Sequence, residues 1–343
     1  MSVDVSTLPT HSPVKRFFVA PGALPFIASV FLGAVLIFLV QPMFAKMATP
    51  LLGGSPSVWN VSLVCFQAAL LLGYAYAHAL ARLRSVRLQV TVHGVLFLAG
   101  LICLPMSISG ALGDPDPSNP TLWLIGIFAL SVALPYAVVS ATAPLIQSWY
   151  AKSGESDADD PYHLYAASNV GSLLGLALYP LVLEPLTRLA DQTLLWSVGY
   201  GLLLILIMTS GTLVAKRAGR IESVTQEIEK APLSWIERGR WLALAFIPSS
   251  LLVGVTSHIT TDLAAAPFLW VPPLTLYLLT FVFVFSKQSP IRLETSTMLM
   301  PLAVGAMLLT LPRMVNVGTF LEIAIALLGL FVIAMVAHGQ LAA

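Results

Sequence analysis

A chain of 343 residues with 57% hydrophobic side chains, 10% charged ones and a mean hydropathy of +0.88 departs far from soluble proteins, in which charged residues make up about 25%. A net charge of +1 gives no electrostatic field for nucleic acid or an acidic partner. The two cysteines, Cys65 and Cys103, lie in separate apolar runs without the spacing of a metal site, so both read as small buried hydrophobes.

Residues 1–22 form a tail that is expected to lie in the cytoplasm, with Lys15 and Arg16 just before the first apolar run. That run is about twice the roughly 7–15 residues of a signal-peptide core, so it is expected to be a retained first transmembrane helix. A membrane-crossing helix needs about 20 mainly apolar residues. On that criterion ten spans are predicted, at about 23–48, 57–81, 88–108, 121–149, 162–183, 192–214, 240–258, 265–285, 296–312 and 317–338. The fold class is therefore an all-α polytopic transmembrane bundle.

Placing the N-terminus inside and alternating sides puts 14 of the 17 lysines and arginines in inside segments, leaving only Lys46, Arg188 and Arg313 outside. This bias predicts cytoplasmic termini. The stretch 216–240, KRAGRIESVTQEIEKAPLSWIERGR, holds ten of the chain's 33 charges. It divides a first membrane half, 23–215, from a second, 240–343. The linker, 216–239, is expected to be cytoplasmic and to carry a surface-lying amphipathic helix.

Pro56-Ser57-Val58-Trp59 and Pro267-Phe268-Leu269-Trp270 stand near the starts of the second and eighth spans, 211 residues apart. Each follows a span whose outer end carries ions: Lys46 in the first, His258 and Asp262 in the seventh. Parallel six-span repeats build one large transporter architecture, and the placement of the two motifs fits it.

A charge within or at the edge of a span is costly and faces a bundle interior or water. Lys46 can snorkel to the interface or sit at a cavity mouth. Asp262 is too short to snorkel. Glu184 is expected to pair with Arg188 one turn later, and His258 shares a helical face with Asp262. Trp59 and Trp270 read as interface anchors or as cavity walls for a cation. The fifth span carries a polar face with Ser168, Asn169 and Ser172, and its Gly171-x-x-x-Gly175 reads first as a helix-packing motif. Pro135, Pro144, Pro180 and Pro272-Pro273 predict kinked spans. No H-E-x-x-H, G-x-S-x-G, P-loop or dinucleotide fingerprint occurs, so neither a cofactor nor catalysis is assigned to this chain.

The segments QPMFAKMATPLLGGSPSVWN (41–60), YHLYAASNVGSLLGLALYP (162–180) and SHITTDLAAAPFLWVPPLTLYLLTFVFVF (257–285) resemble the membrane portion of bacterial fused MFS/spermidine synthase-like proteins. The resemblance covers most of 24–340. It implies an MFS-like bundle of six plus four spans in the bacterial inner membrane, with a polyamine-related role. Fused members continue into further membrane sequence and an aminopropyltransferase-like domain. This sequence ends at HGQLAA, so a truncated or split member is expected and synthase activity is not assigned. The loop HALARLRSVRLQ (78–89) also lacks the Gly/Asp-Arg/Gly-Arg pattern between spans two and three of typical MFS transporters.

Two functions follow as expectations. One is a transporter of a small cationic solute such as a polyamine, with Lys46, Asp262, His258, Glu184, Asn60, Trp59, Trp270 and Asn169 as candidate binding or coupling residues and Lys46 holding Asp262 in the empty site. The other is a non-transporting scaffold that anchors a separately encoded spermidine synthase-like domain. The partners named are the lipid bilayer, that domain and the solute.

Overall fold

A computed structural model of the chain describes residues 21–52, 56–108, 112–115, 119–155, 158, 162–221, 234–263, 269–284, 289–310, 314–315 and 317–342. Among these residues every regular element is a helix. The first crossing is α1 (Leu24–Leu52), the second α2 (Pro56–Ala81) and the third α3 (Val86–Gly100). The fourth is assembled from α4 (Pro120–Phe128), α5 (Leu134–Ser140) and α6 (Thr142–Ala151). The fifth runs through α7 (Tyr162–Leu178) into the short α8 (Glu184–Leu186), and the sixth is α9 (Leu189–Ile221). Four more follow: α10 (Trp235–Leu263), α11 (Val271–Val284), α12 (Leu293–Thr310) and α13 (Thr319–Ala342).

Nine of these crossings are long and apolar enough to span a bilayer among the described residues, and α11 is a shorter apolar helix of the same kind. Their outward side chains are large and oily: Val64, Leu71, Leu181, Leu302 and Phe320 are each at least 67% exposed. Such a belt is an aggregation hazard in water and an ordinary surface in lipid. The chain is an integral, multi-pass membrane protein.

Local sequence explains where the helices begin and bend. Ser234 and Glu237 form a reciprocal cap at the start of α10: the Ser234 amide donates to the Glu237 carboxylate at 2.9 Å, and the Glu237 amide donates to Ser234 Oγ at 3.2 Å. Ser85 and Asn119 likewise accept from the amides of Leu88 and Leu122 and open α3 and α4. The fourth and fifth crossings each contain a π-helical turn, Ala129–Ala133 and Tyr179–Leu183. Each turn ends two residues before a proline, Pro135 or Pro185. Proline has no N–H for the carbonyl four residues back, here Ser131 or Leu181, and widening the turn accommodates the loss. Pro185 is the breaker that hydropathy alone overlooks.

The charged stretch between α9 and α10 is shorter than the expected linker, because α9 continues to Ile221 and α10 begins at Trp235. The expected surface helix falls on residues 222–233, outside the described set. On the same end of the bundle Arg217 pairs with Glu155 of the acidic loop. That loop carries more acidic than basic residues, unlike the other interhelical segments of its side.

Packing divides the chain into two sections. One continuous core gathers buried residues from Ala23 to Val214 and includes a ring cluster of Phe44, Phe66, Phe128 and Tyr136 with centroids 4.8–5.8 Å apart. A second, smaller core joins Val255, Ile259, Met307, Ala326 and Leu330. The most extensive helix contact is α1 on α7. It is set by the Gly171-x-x-x-Gly175 motif, because a Cβ at Gly171 would stand 2.5 Å from the Phe31 carbonyl oxygen and one at Gly175 would stand 2.8 Å from that of Val35. Only a bare backbone fits there. The two sections meet where α7 touches α11 and α2 touches α10.

Candidate functional site

Because successive crossings alternate in direction, the ends of α1, α7 and α10 and the starts of α2, α11 and α13 share one end of the bundle. Most of the ionisable residues singled out from sequence are there. Lys46 lies in the last two turns of α1, and its Nζ donates to Glu184 Oε2 at 2.7 Å. The two side chains are 37% and 26% exposed, which places the pair at the edge of water rather than deep in the core.

This pairing replaces the expected Glu184–Arg188 bridge, and the reason is backbone geometry. The helix ends at Leu186, and Thr187 is extended with φ −132° and ψ 151°. Arg188 is therefore not one turn above Glu184, and its amide instead donates to the Asp191 carboxylate at 3.2 Å, capping α9. The π-helical turn Tyr179–Leu183 lies immediately before Glu184, and the buried Tyr179 hydroxyl sits beside its carboxylate.

In the second section His258 Nε2 lies 2.8 Å from Glu322 Oε1, linking α10 to α13, with the side chains 21% and 16% exposed. Sequence reading passed over Glu322. The signal was present, since it is the only Asp, Glu, Lys or Arg in the run 317–338. The helix α10 persists to Leu263, so His258 and position 262 share a helical face. The side chains of Asp262 and Trp59 lie outside the described residues, and the expected Lys46–Asp262 contact lies there with them.

Ser257, next to His258, donates from Oγ to Asn60 Oδ1 at 3.4 Å, a polar contact that ties α10 to α2 across the seam between the sections. Trp270 is half-buried directly before α11. Asn169 is half-buried on α7 but is not part of this group, being roughly 22 Å from Glu184 along the helix at 1.5 Å per residue.

The arrangement thus places two carboxylates, Glu184 and Glu322, at one end of the bundle, each in contact with a basic side chain of its own section, Lys46 or His258. Such carboxylates can exchange an internal cation for an external one at little net cost in charge. No group of three His, Cys, Asp or Glu side chains able to hold a metal occurs among the described residues. Comparisons of the chain with protein-family models, with curated proteins and with solved structures find no match.

Proposed function

We propose that this membrane protein is a transporter of a small cationic solute, of the polyamine class, that resides in a bacterial inner membrane with both termini in the cytoplasm. The MFS-like reading of its six plus four spans and the kinship with spermidine synthase-like fusions belong to the same proposal. One observation carries it: two sections with separate hydrophobic cores meet where α7 touches α11 and α2 touches α10, and each section holds an ion-paired carboxylate at the same end of the bundle. Alternating access in transporters works by rocking one packed bundle against another around such a seam. A cation entering at that end would compete with Lys46 for Glu184 and with His258 for Glu322, with Asp262 one turn beyond His258.

The test is uptake of labelled spermidine and putrescine into proteoliposomes by the wild-type chain and by Glu184→Gln, Glu322→Gln and Asp262→Asn. Saturable uptake that falls at least tenfold in the carboxylate variants supports transport. No uptake by the wild-type chain overturns it. If the chain also co-purifies with a synthase-like domain, its function is that of the scaffold.

A further inference from the structure

The turn between α2 and α3, at the bundle end opposite Lys46, carries three arginines within six residues: Arg82, Arg84 and Arg87. All three are exposed. The ion pairs among the described residues are Lys46–Glu184, Arg217–Glu155 and His258–Glu322, so no described carboxylate is paired with the turn. The Glu155 carboxylate, on the same end of the bundle, is already engaged by Arg217. Arg82 reaches back along α2, where its Nη2 donates to His78 Nε2 at 3.1 Å.

The turn is held in shape from the protein side. Gln89, in the first turn of α3, is fully buried. Its Nε2 donates to the carbonyls of Leu83 at 2.6 Å and Ala81 at 3.5 Å, and its Oε1 accepts from Trp149 Nε1 at 2.8 Å. A backbone tied down in this way presents its side chains from fixed positions, which lowers the ordering cost of binding. Depth follows from the connection itself. Only residues 82–85 join the span that ends at Ala81 to the one that begins at Val86, so the turn stays close to the hydrocarbon edge. Leu83 and Leu88, 37% and 49% exposed, stand beside the arginines. Exposed leucines next to exposed guanidinium groups match the layer in which a phospholipid head joins its chains.

We infer that the α2–α3 turn is a binding site for an anionic phospholipid, with the arginines on its phosphate and Leu83 and Leu88 against the start of its chains. The guanidinium fork matches phosphate oxygens in pairs. Three positive charges without a protein counter-charge select a head of net negative charge over a zwitterionic one. A free phosphate offers the same oxygens but no chains for the two leucines. This site is at the opposite end of the bundle from Glu184 and Glu322 and does not rest on the transport reading.

The experiment uses the delipidated full chain in detergent, titrated with dioleoyl phosphatidylglycerol, with dioleoyl phosphatidylcholine and with inorganic phosphate. The readout is thermal stability, which rises with occupancy of the folded state. Saturable stabilisation by phosphatidylglycerol is expected, half-complete at a concentration about a hundredfold below that for phosphatidylcholine. The factor is about fivefold for each arginine near an anionic head. Arg84→Gln with Arg87→Gln, both on the exposed turn, should narrow the ratio to about fivefold while the lipid-free melting temperature stays put. Arg238→Gln with Arg240→Gln removes the same charge from the exposed start of α10 at the same end of the bundle, and should leave the ratio as in the wild type. An unchanged ratio in the turn variant, or an equal fall in both double variants, would overturn the site. A response to inorganic phosphate as strong as that to phosphatidylglycerol would overturn the lipid as its occupant.

Discussion

Removing Lys46 or Glu184 tests whether their contact is energetic or incidental. At 2.7 Å the gross attraction is about 6 kcal/mol for an effective dielectric of ~20 and about 1.5 kcal/mol in bulk water. The exposures of 37% and 26% lie between a surface pair, worth ~0–1 kcal/mol, and a buried one, whose loss costs ~3–5 kcal/mol. Desolvation and screening bring the expected coupling to about 1–2 kcal/mol. The single variants should differ. Lys46→Met strands a short carboxylate beside Tyr179, whereas Glu184→Gln frees a lysine that can extend to the interface. We therefore expect Lys46→Met to be the more damaging, and the double variant to lose less than the sum of the singles. The assay is thermal unfolding followed with a thiol-reactive fluorophore, which suits a chain whose Cys65 is buried and Cys103 half-buried. At ~2 °C per kcal/mol the coupling amounts to a few degrees. Additivity of the two substitutions within ~0.5 kcal/mol would refute the reasoning, and Arg188→Gln, which breaks no ion pair with Glu184, serves as the neutral control.

Two further substitutions address packing and the seam. Gly171→Ala places a methyl 2.5 Å from the Phe31 carbonyl oxygen and should cost about 1–3 kcal/mol as an overpacked contact. Gly201→Ala meets nothing within 4 Å and should stabilise by up to ~1 kcal/mol, both measured by the same melt. Asn60→Cys with Ser257→Cys, in a chain whose native cysteines are replaced, should cross-link under mild oxidant because the side chains already touch at 3.4 Å. The cross-link should stop uptake reversibly, and full uptake by the oxidised protein would exclude movement at that end.

The spans were legible because bilayer thickness imposes a length that composition must meet, and nine of the helices among the described residues meet it, while α11 is a shorter apolar helix. The Gly171-x-x-x-Gly175 packing was legible for the same kind of reason, since small residues one turn apart have one dominant use in helices. Partner choice was not. A carboxylate at position 184 has a basic residue four places on, and only the extended Thr187 and the π-helical turn before Glu184 redirect it to a lysine 138 residues away in sequence. Nothing in a periodicity reports such a break. His258 was read against its own helix, while its partner Glu322 arrives from α13 through tertiary packing.

Both ion pairs lie inside a section, Lys46–Glu184 in the first and His258–Glu322 in the second, whereas the described hydrogen bond across the seam at that end is the long Asn60–Ser257 contact. They are therefore not latches between the sections. Under the transport reading, a cation that binds Glu322 must displace His258 Nε2 from its 2.8 Å contact with the carboxylate. His258→Ala removes that competitor, so apparent affinity for the solute should rise several-fold, whereas Glu322→Gln should weaken it. Uptake kinetics decide the matter: an unchanged apparent affinity in His258→Ala would separate the histidine from solute binding and leave the α10–α13 pair a structural tie.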